Sequence, residues 1–289
     1  MPEKNSGTFG YPGGKTTIAP WIIDYFPDHT VYVEPFGGSA SVLVQKQKSN
    51  VEVYNDLNSD CVAFFEAVKS HPEELERWVE NTPYSRELFE TWMESFGKGE
   101  RPDDTVEQAG RFWFLTAASF GGKIHQGNGT FSIDRVENKP AHYGPIKWQR
   151  KGENIQTIRD RFHHVQIEQL DYAELFDKYD STEAFFYCDP PYVDVGDDYY
   201  QTEDGGFNHP RFCEELLDLD GKWLVSYGEH IPAQLSDYHT VTRTKEATMS
   251  KQRPEITEQL IMNYDPAQVP QFRQANQHGL EAYADGGEP

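Results

Sequence analysis

The chain has 289 residues, a formal net charge of −22 and a sequence pI near 4.8. That length holds one large domain, or one domain with an insertion, and its apolar and aromatic content is ample for a core. No run of about 18 apolar residues exists to span a membrane, and Cys61, Cys188 and Cys213 are spaced neither as a disulfide framework nor as a zinc site.

A reducing cytoplasm is therefore the expected setting (a host's cytoplasm for a viral chain), and no metal is expected. Met1-Pro2-Glu3-Lys4 leads into no apolar segment of a secretory signal. Taken whole, the charge argues against a nucleic-acid partner, because phosphate binding rests on Lys and Arg. The distribution argues otherwise. Between residues 139 and 164, Lys139, Lys147, Arg150, Lys151, Arg159 and Arg161 face only Glu153 and Asp160. A second basic island joins Arg243, Lys245, Lys251 and Arg253 against Glu246. Basic islands in so acidic a chain fit a polyanion-binding face. The acidic remainder fits solubility at high salt and a salt-loving source.

In chain order, Tyr11-Pro12-Gly13-Gly14-Lys15 precedes an amphipathic helix predicted over residues 16–26. The phosphate-loop spacing is absent and no strand comes before it, which excludes a P-loop NTPase. Lys15 is better suited to a ligand carboxylate. Val31-Tyr32-Val33-Glu34 reads as a strand, and Glu34-Pro35-Phe36-Gly37-Gly38-Ser39 follows, with Ser39 as cap of a helix over 40–46. Glycines here let a ligand approach the backbone. Val51-Glu52-Val53-Tyr54 is a second strand ending at Asn55-Asp56, which completes a βαβ unit. Asp56 stands where such units bond ribose hydroxyls, about 20 residues after the glycine turn. Taken alone it reads better as a cap for the helix that begins at Asn58.

Residues 58–120 are patterned as helices, with caps or breakers at Ser85, Pro102 and Thr105. The glycine-rich stretch 121–129 is a flexible loop or a hairpin tip. A basic helical segment covers 146–162, a strand 164–168 and a helix 172–179. Strands follow at 184–188, 222–227, 240–244 and 259–263, with an acidic loop at 194–206. Residues 266–289 are polar, contain Gly and Pro, and are expected to be a disordered tail. The fold class is α/β: a sheet domain over 1–57 and 163–265, with a mainly helical insertion over 58–162.

The most informative stretch is Asp189-Pro190-Pro191-Tyr192, after the apolar strand Ala184-Phe185-Phe186-Tyr187-Cys188. In open α/β sheets, ligands bind at the carboxyl ends of strands. Two prolines stop further pairing and hold the backbone in a rigid extended path. Asp189 and the Pro190 carbonyl can each accept one N–H of a planar amine, and Tyr192 can stack on its ring. By itself the stretch reads equally well as an Asp-Pro turn. Strand alternation turns Cys188 away from Asp189 and into the core.

The ordered set Tyr11-Pro12-Gly13-Gly14-Lys15, Glu34-Pro35-Phe36-Gly37-Gly38-Ser39, Asn55-Asp56-Leu57-Asn58-Ser59-Asp60 and Asp189-Pro190-Pro191-Tyr192 resembles the Dam-type DNA adenine-N6 methyltransferases. The order is kept from about Phe9 to Tyr264, nearly the whole chain. The resemblance implies a Rossmann-like S-adenosylmethionine-dependent methyltransferase sheet with an inserted target-recognition domain. It implies that Tyr11, Lys15, Phe36, Gly38, Asp56 and Asp189 line the S-adenosylmethionine site, with Asp171 a weaker candidate. It also implies that Asp189, Pro190, Pro191 and Tyr192 hold the adenine. Three departures stand out. Ala40 replaces a family glycine, Tyr227 replaces a family Asn, and Phe120-Gly121-Gly122-Lys123-Ile124-His125 replaces a Phe/Tyr-Asn-Gly-Leu run, so the recognised sequence stays open.

The expected partner is double-stranded DNA, with the base flipped out at a cost of a few kcal/mol. Lys123, His125, Asn128, Lys139, Lys147, Arg150, Lys151 and Arg253 are the candidate DNA contacts, and the chain is expected to be a monomer or weak dimer. Cytosine N4, an RNA adenine, a protein glutamine and a non-catalytic DNA-binding relative remain as rivals. A nicotinamide oxidoreductase is disfavoured, because no Gly-x-Gly-x-x-Gly follows the first strand.

Overall fold

The computed structural model describes residues 8–11, 13–122, 124, 127–133, 144–193, 206–246 and 255–269. Seven strands are β1 (Val31–Glu34), β2 (Val51–Asn55), β3 (Val165–Glu168), β4 (Ala184–Cys188), β5 (Lys222–Tyr227), β6 (His239–Glu246) and β7 (Glu255–Met262). They form one sheet of order β3-β2-β1-β4-β5-β7-β6. β1, β4 and β5 run parallel, whereas β7 is antiparallel to both β5 and β6. The helices among the described residues are α1 (Ala19–Ile23), α2 (Ser59–Ser70), α3 (Pro72–Asn81), α4 (Arg86–Gly97), α5 (Thr105–Ala118), α6 (Gly144–Glu153), α7 (Ile155–Phe162), α8 (Tyr172–Tyr179) and α9 (His209–Leu217). The architecture is the α/β, Rossmann-like class expected from the sequence.

The contacts divide the chain into two compact units. One is made by the described residues of Ile18–Phe36, Gln45–Val53 and Leu170–Pro289. In it β4 is buried along its whole length, as a central parallel strand must be. Its side chains alternate between two apolar layers. Phe186 and Cys188 join Val33, Val53 and Val225 beneath Leu175 and Phe176 of α8 and Phe212 and Leu216 of α9. Phe185 and Tyr187 point the other way, where Phe26 packs on them with ring centroids 4.6 and 5.8 Å away. Cys188 is thus a core residue, as alternation predicts. β1 and β4 are neighbours, and β1 lies between β4 and β2, so the sheet reverses its winding there. Ligands of open α/β sheets settle at such a switch point.

The other unit takes the described residues of Met1–Thr17, Gly37–Val44 and Tyr54–Gln169. Asn58 caps α2, Ser85 caps α4 and Asp104, not Thr105, caps α5, each accepting a backbone N–H of the first turn. The core is aromatic. Phe65 stacks on Phe162 at 4.2 Å, and Phe9 meets Phe64 and Phe112 edge-on. Trp148 anchors α6 by donating to the Thr82 carbonyl at 2.9 Å and packing on Phe114.

Several elements differ from expectation. The first helix covers only Ala19–Ile23 instead of 16–26, because Pro20 is tolerated only in a first turn. Residues 41–45 form turns, not a helix over 40–46. Ala40 is held at φ 51°, and the Ser39 hydroxyl meets that of Ser41 at 2.9 Å instead of capping. The helix α9 was not anticipated, although Asn208 caps it and Pro210 sits in its first turn. Pro266–Gln268 form a 3-10 turn and Val269 is buried, so residues 266–269 do not belong to the disordered tail expected from 266. Residues 270–289, and 194–205 of the acidic loop, lie outside the described residues. No helix among the described residues is long and apolar enough to cross a membrane.

Candidate active site

The glycine turn and its acid belong to the helical unit. The Gly37 N–H donates to the Asn55 carbonyl at 2.8 Å, and the Tyr54 hydroxyl donates to the Gly38 carbonyl at 2.7 Å. Asp56 accepts the Gly38 N–H on Oδ2 at 2.7 Å and the Asn58 N–H on Oδ1 at 2.8 Å. The acid at the end of β2 therefore ties the glycine turn to the start of α2. Both glycines are required here. A Cβ on Gly37 would fall 2.2 Å from Cε2 of Tyr54, and Gly38 has φ 47° with Tyr11 packed against it.

Burial raises the Asp56 carboxyl to about 6, and the two backbone N–H bonds only partly offset that. The neighbouring Cys61 thiol is pushed up by burial and by the Asp56 charge, and drawn back by hydrogen bonds with Tyr11 and Tyr54. Tyr11, Gly38 and Asp56 are thus brought together. Lys15 is buried on the same amino-terminal segment, where its ammonium donates to the Gly13 carbonyl at 3.0 Å. Pro12 lies outside the described residues.

The second set of candidates belongs to the sheet unit. The Val33–Phe186 pair sets the register of β1 on β4, so Glu34-Pro35-Phe36 leaves the sheet beside Cys188 and Asp189. Asp189, Pro191 and Tyr192 are half-buried and Pro190 is buried. Asp189 follows the Phe185 and Tyr187 side of the alternation. After burial itself, its charge is the largest influence raising the Tyr187 hydroxyl. The Tyr192 hydroxyl donates to Oε1 of Glu258 at 2.5 Å, and its ring lies 6.0 Å from that of Tyr227. Burial, then the charges of Asp189 and Glu258, keep that phenol protonated. Phe36 packs among Tyr172, Phe207 and Phe212 at 5.8, 5.7 and 5.6 Å. Asp171 caps α8 and pairs with Arg211 at 3.3 Å.

Glu258, Tyr227 and the buried Glu34, which accepts the Tyr32 hydroxyl at 2.6 Å, were not picked out from the sequence as site residues. The available signal was an acid at an inward position of an apolar strand, which needs a partner once buried.

Of the basic candidates, Lys147 and Arg150 are exposed on α6. Lys151 differs: its ammonium sits over the Trp113 ring, 5.4 Å from the centroid. Burial, reinforced by Lys147, lowers it to about 8, so it serves the helical core as much as the surface. Asn128 is exposed on the glycine-rich loop. The ends of that loop are paired, with the Phe120 N–H on the Thr130 carbonyl and the Ser132 N–H on the Ala118 carbonyl. Phe120 and Ile133 are 65% and 66% exposed on the same ribbon. Lys123, His125, Lys139 and Arg253 lie outside the described residues.

Comparison with known proteins finds methyltransferases along most of the chain. Type II methyltransferase M.MjaIII of Methanocaldococcus jannaschii is 24% identical over 292 residues, covering 88% of this chain and 97% of its own. Type II methyltransferase M.CviBI of Paramecium bursaria Chlorella virus NC1A is 26% identical over 234 residues, covering 75% and 81%. The DNA adenine methylase of Escherichia coli K12 is 25% identical over 249 residues, covering 83% of each chain. The family model for D12 class N6 adenine-specific DNA methyltransferases matches residues 11–259. That match begins at the amino-terminal glycine–lysine element and ends within the closing strand β7, and so takes in every element that carries the site: the chain belongs to the D12 class N6 adenine-specific DNA methyltransferase family.

Proposed function

We propose that the protein methylates the N6 amine of an adenine flipped out of double-stranded DNA, with the base held at Asp189-Pro190-Pro191-Tyr192 and S-adenosylmethionine as donor. The observation that carries this reading is the position of that corner: it follows β4 at the switch point of the sheet, with its tyrosine ring fixed by Glu258. Family membership implies the donor. When bound, S-adenosylmethionine supplies an electrophilic methyl group on a cationic sulfur.

The residues present suit that donor. Asp56 spends one lone pair of each oxygen on backbone N–H groups and keeps the others for a ribose diol. Lys15 brings a positive charge for a carboxylate. Tyr11, Phe36 and the Gly37-Gly38 backbone offer ring faces and close approach.

The adenine amine is a poor nucleophile because its lone pair is delocalised into the ring. Asp189 and the Pro190 carbonyl would each accept one amino hydrogen, which favours a pyramidal nitrogen with its lone pair turned out. The same acceptors face the positive charge that develops on nitrogen, and such fixed acceptors are an effective source of rate enhancement. Asp189 need not be a strong base, since a methylated anilinium-like nitrogen sheds its proton readily. Tyr192 would stack on the ring.

Residues 58–162 would engage the DNA. Exposed Lys147 and Arg150 suit phosphates, and Lys123, His125, Asn128, Lys139 and Arg253 are the further candidates. Lys151 would contribute chiefly by supporting α6. The exposed Phe120 suits an apolar wedge between base steps. The three buried, unbridged thiols fit a reducing cytoplasm.

The test is to incubate unmethylated DNA with the protein and labelled S-adenosylmethionine, at low and at multimolar salt, and to map N6-methyladenine by sequencing. Label in adenine of duplex DNA is expected. Label confined to cytosine, RNA or protein would overturn the reading.

A further inference from the structure

Tyr192 is gripped from two sides at the carboxyl edge of the sheet. Its hydroxyl donates to Glu258 at 2.5 Å, and its ring leans on Tyr227 with centroids 6.0 Å apart and planes at 39°. Glu258 is only 9% exposed, and Tyr227 is fully buried. Neither is close to Tyr192 in sequence. They meet it because β5 and β7 pair antiparallel, with Tyr227 opposite Gln259, so that Glu258 and Tyr227 stand at one end of the strand pair. Tyr227 is itself fixed: its hydroxyl meets Nδ1 of His209 at 3.0 Å, and the two rings are 5.7 Å apart.

A carboxylate removed from water needs partners. A phenol hydroxyl is a strong one, and a bond to a charged acceptor is about twice as strong as a neutral one. A tyrosine ring has two side-chain torsions of its own. A bond at the para oxygen and a contact on the ring restrain both. A stacking surface ordered in advance spares that ordering when the base arrives.

We infer that Glu258 is a positioning residue: acting through the Tyr192 hydroxyl, with Tyr227 bracing the ring, it sets the aromatic face on which the flipped adenine stacks. The inference rests on the reading of Tyr192 as the stacking residue. Tyr227 stands where the family resemblance expects Asn, so this brace on the ring departs from that pattern. In this reading Glu258 acts through the orientation of Tyr192 and not on the reacting atoms themselves.

The experiment is a double-mutant cycle on the full chain, with a duplex bearing the mapped target adenine. Tyr192→Phe keeps the ring and removes the hydroxyl, and Glu258→Ala removes the acceptor. Each should slow single-turnover methylation about tenfold, since a hydrogen bond to a charged group is worth about ten- to a hundredfold. Donor affinity, read by calorimetry, should not move. The double variant should be no slower than either single one, and Glu258→Gln, which keeps an acceptor oxygen, should recover most of the loss. With 2-aminopurine at the target position, Tyr192→Phe and Glu258→Ala should leave the flipped base brighter, because it is less firmly stacked. Tyr192→Phe carries the test even if Glu258→Ala fails to fold. Losses that multiply in the double variant, or a Tyr192→Phe enzyme as fast as the parent, would overturn the inference while adenine methylation by the parent stands. A parent that labels no DNA adenine overturns the functional reading, and this inference with it.

Discussion

Asp56 accepts the backbone N–H of Gly38 at 2.7 Å, so the acid that ends β2 also fixes the turn that follows β1. One carboxylate thereby joins two structural tasks to the proposed task of holding a ribose, and its ionisation controls all three. Its carboxyl titrates near 6 because burial outweighs its two N–H bonds. Donor affinity should therefore fall as pH drops through about 6, since a protonated acid is a weaker acceptor for ribose hydroxyls. Calorimetric titration with S-adenosylmethionine across that range checks it, and Asp56→Asn should bind weakly at every pH.

The same titration affects stability. The folded protein holds this proton more tightly than the unfolded chain does, because 6 lies above the ordinary 3.8. The stabilisation is complete below 3.8 and is lost as pH rises through 6. Across that window it amounts to about 3 kcal/mol. Urea unfolding at about pH 4.5 and about pH 7.5 should differ by about 2 kcal/mol of this component in the parent, and the component should be lacking in Asp56→Asn.

Ala40 has φ 51° and no exposed surface. An alanine there is strained by about 1–2 kcal/mol, and glycine removes the strain while losing one buried methyl and adding chain entropy in the unfolded state. Ala40→Gly should leave stability within about 1 kcal/mol of the parent, because these effects oppose. Ala40→Val should cost at least about 2 kcal/mol, since a β-branched side chain at positive φ is both strained and overpacked. Denaturation midpoints separate the two.

Lys147, Arg150 and Lys151 share one helix and should behave differently. Lys147→Ala and Arg150→Ala should weaken binding to all DNA sequences alike. Each should reduce the slope of log affinity against log salt by about one. Lys151→Met should leave that slope unchanged, because the ammonium already lies over Trp113 and is lowered to about 8. Fluorescence anisotropy over a salt series is the measurement.

Asp189→Ala should fold and lose methyl transfer. Circular dichroism and the thermal midpoint report the fold, and labelled-methyl incorporation reports the chemistry. An Asp189→Ala protein that still methylates would remove Asp189 from the reaction.

The central strands were legible because burial on both faces leaves a nearly unbroken apolar run, as in Ala184–Cys188, ending at Gly or Pro. α8 was legible because Asp171 caps it and its apolar side chains keep a helical period. The stretch after Ser39 misled because its composition suits a helix while its backbone is bent by Ala40, and φ is not written in composition. α9 went unread because it is short and follows a long polar loop, although Asn208 and Pro210 marked its start. In the site, Asp189 and the glycine turn carry local signatures. Glu258 shows only as an acid within a strand, with nothing local to name its partner: it reaches Tyr192 across 66 residues, through the antiparallel register of β7 on β5.

Alternation along β4 has a consequence for how this gene can change. Phe186 and Cys188 face the layer beneath α8 and α9, and Phe185, Tyr187 and then Asp189 face the other side. A single codon inserted into or deleted from β4 would exchange the two sets. It would present a thiol at the edge and drive a carboxylate into hydrocarbon, because the side-chain period of a strand is two. Substitutions along β4 can be absorbed by repacking, but a frame change of one residue cannot. The length of this five-residue strand is therefore under tighter constraint than its composition.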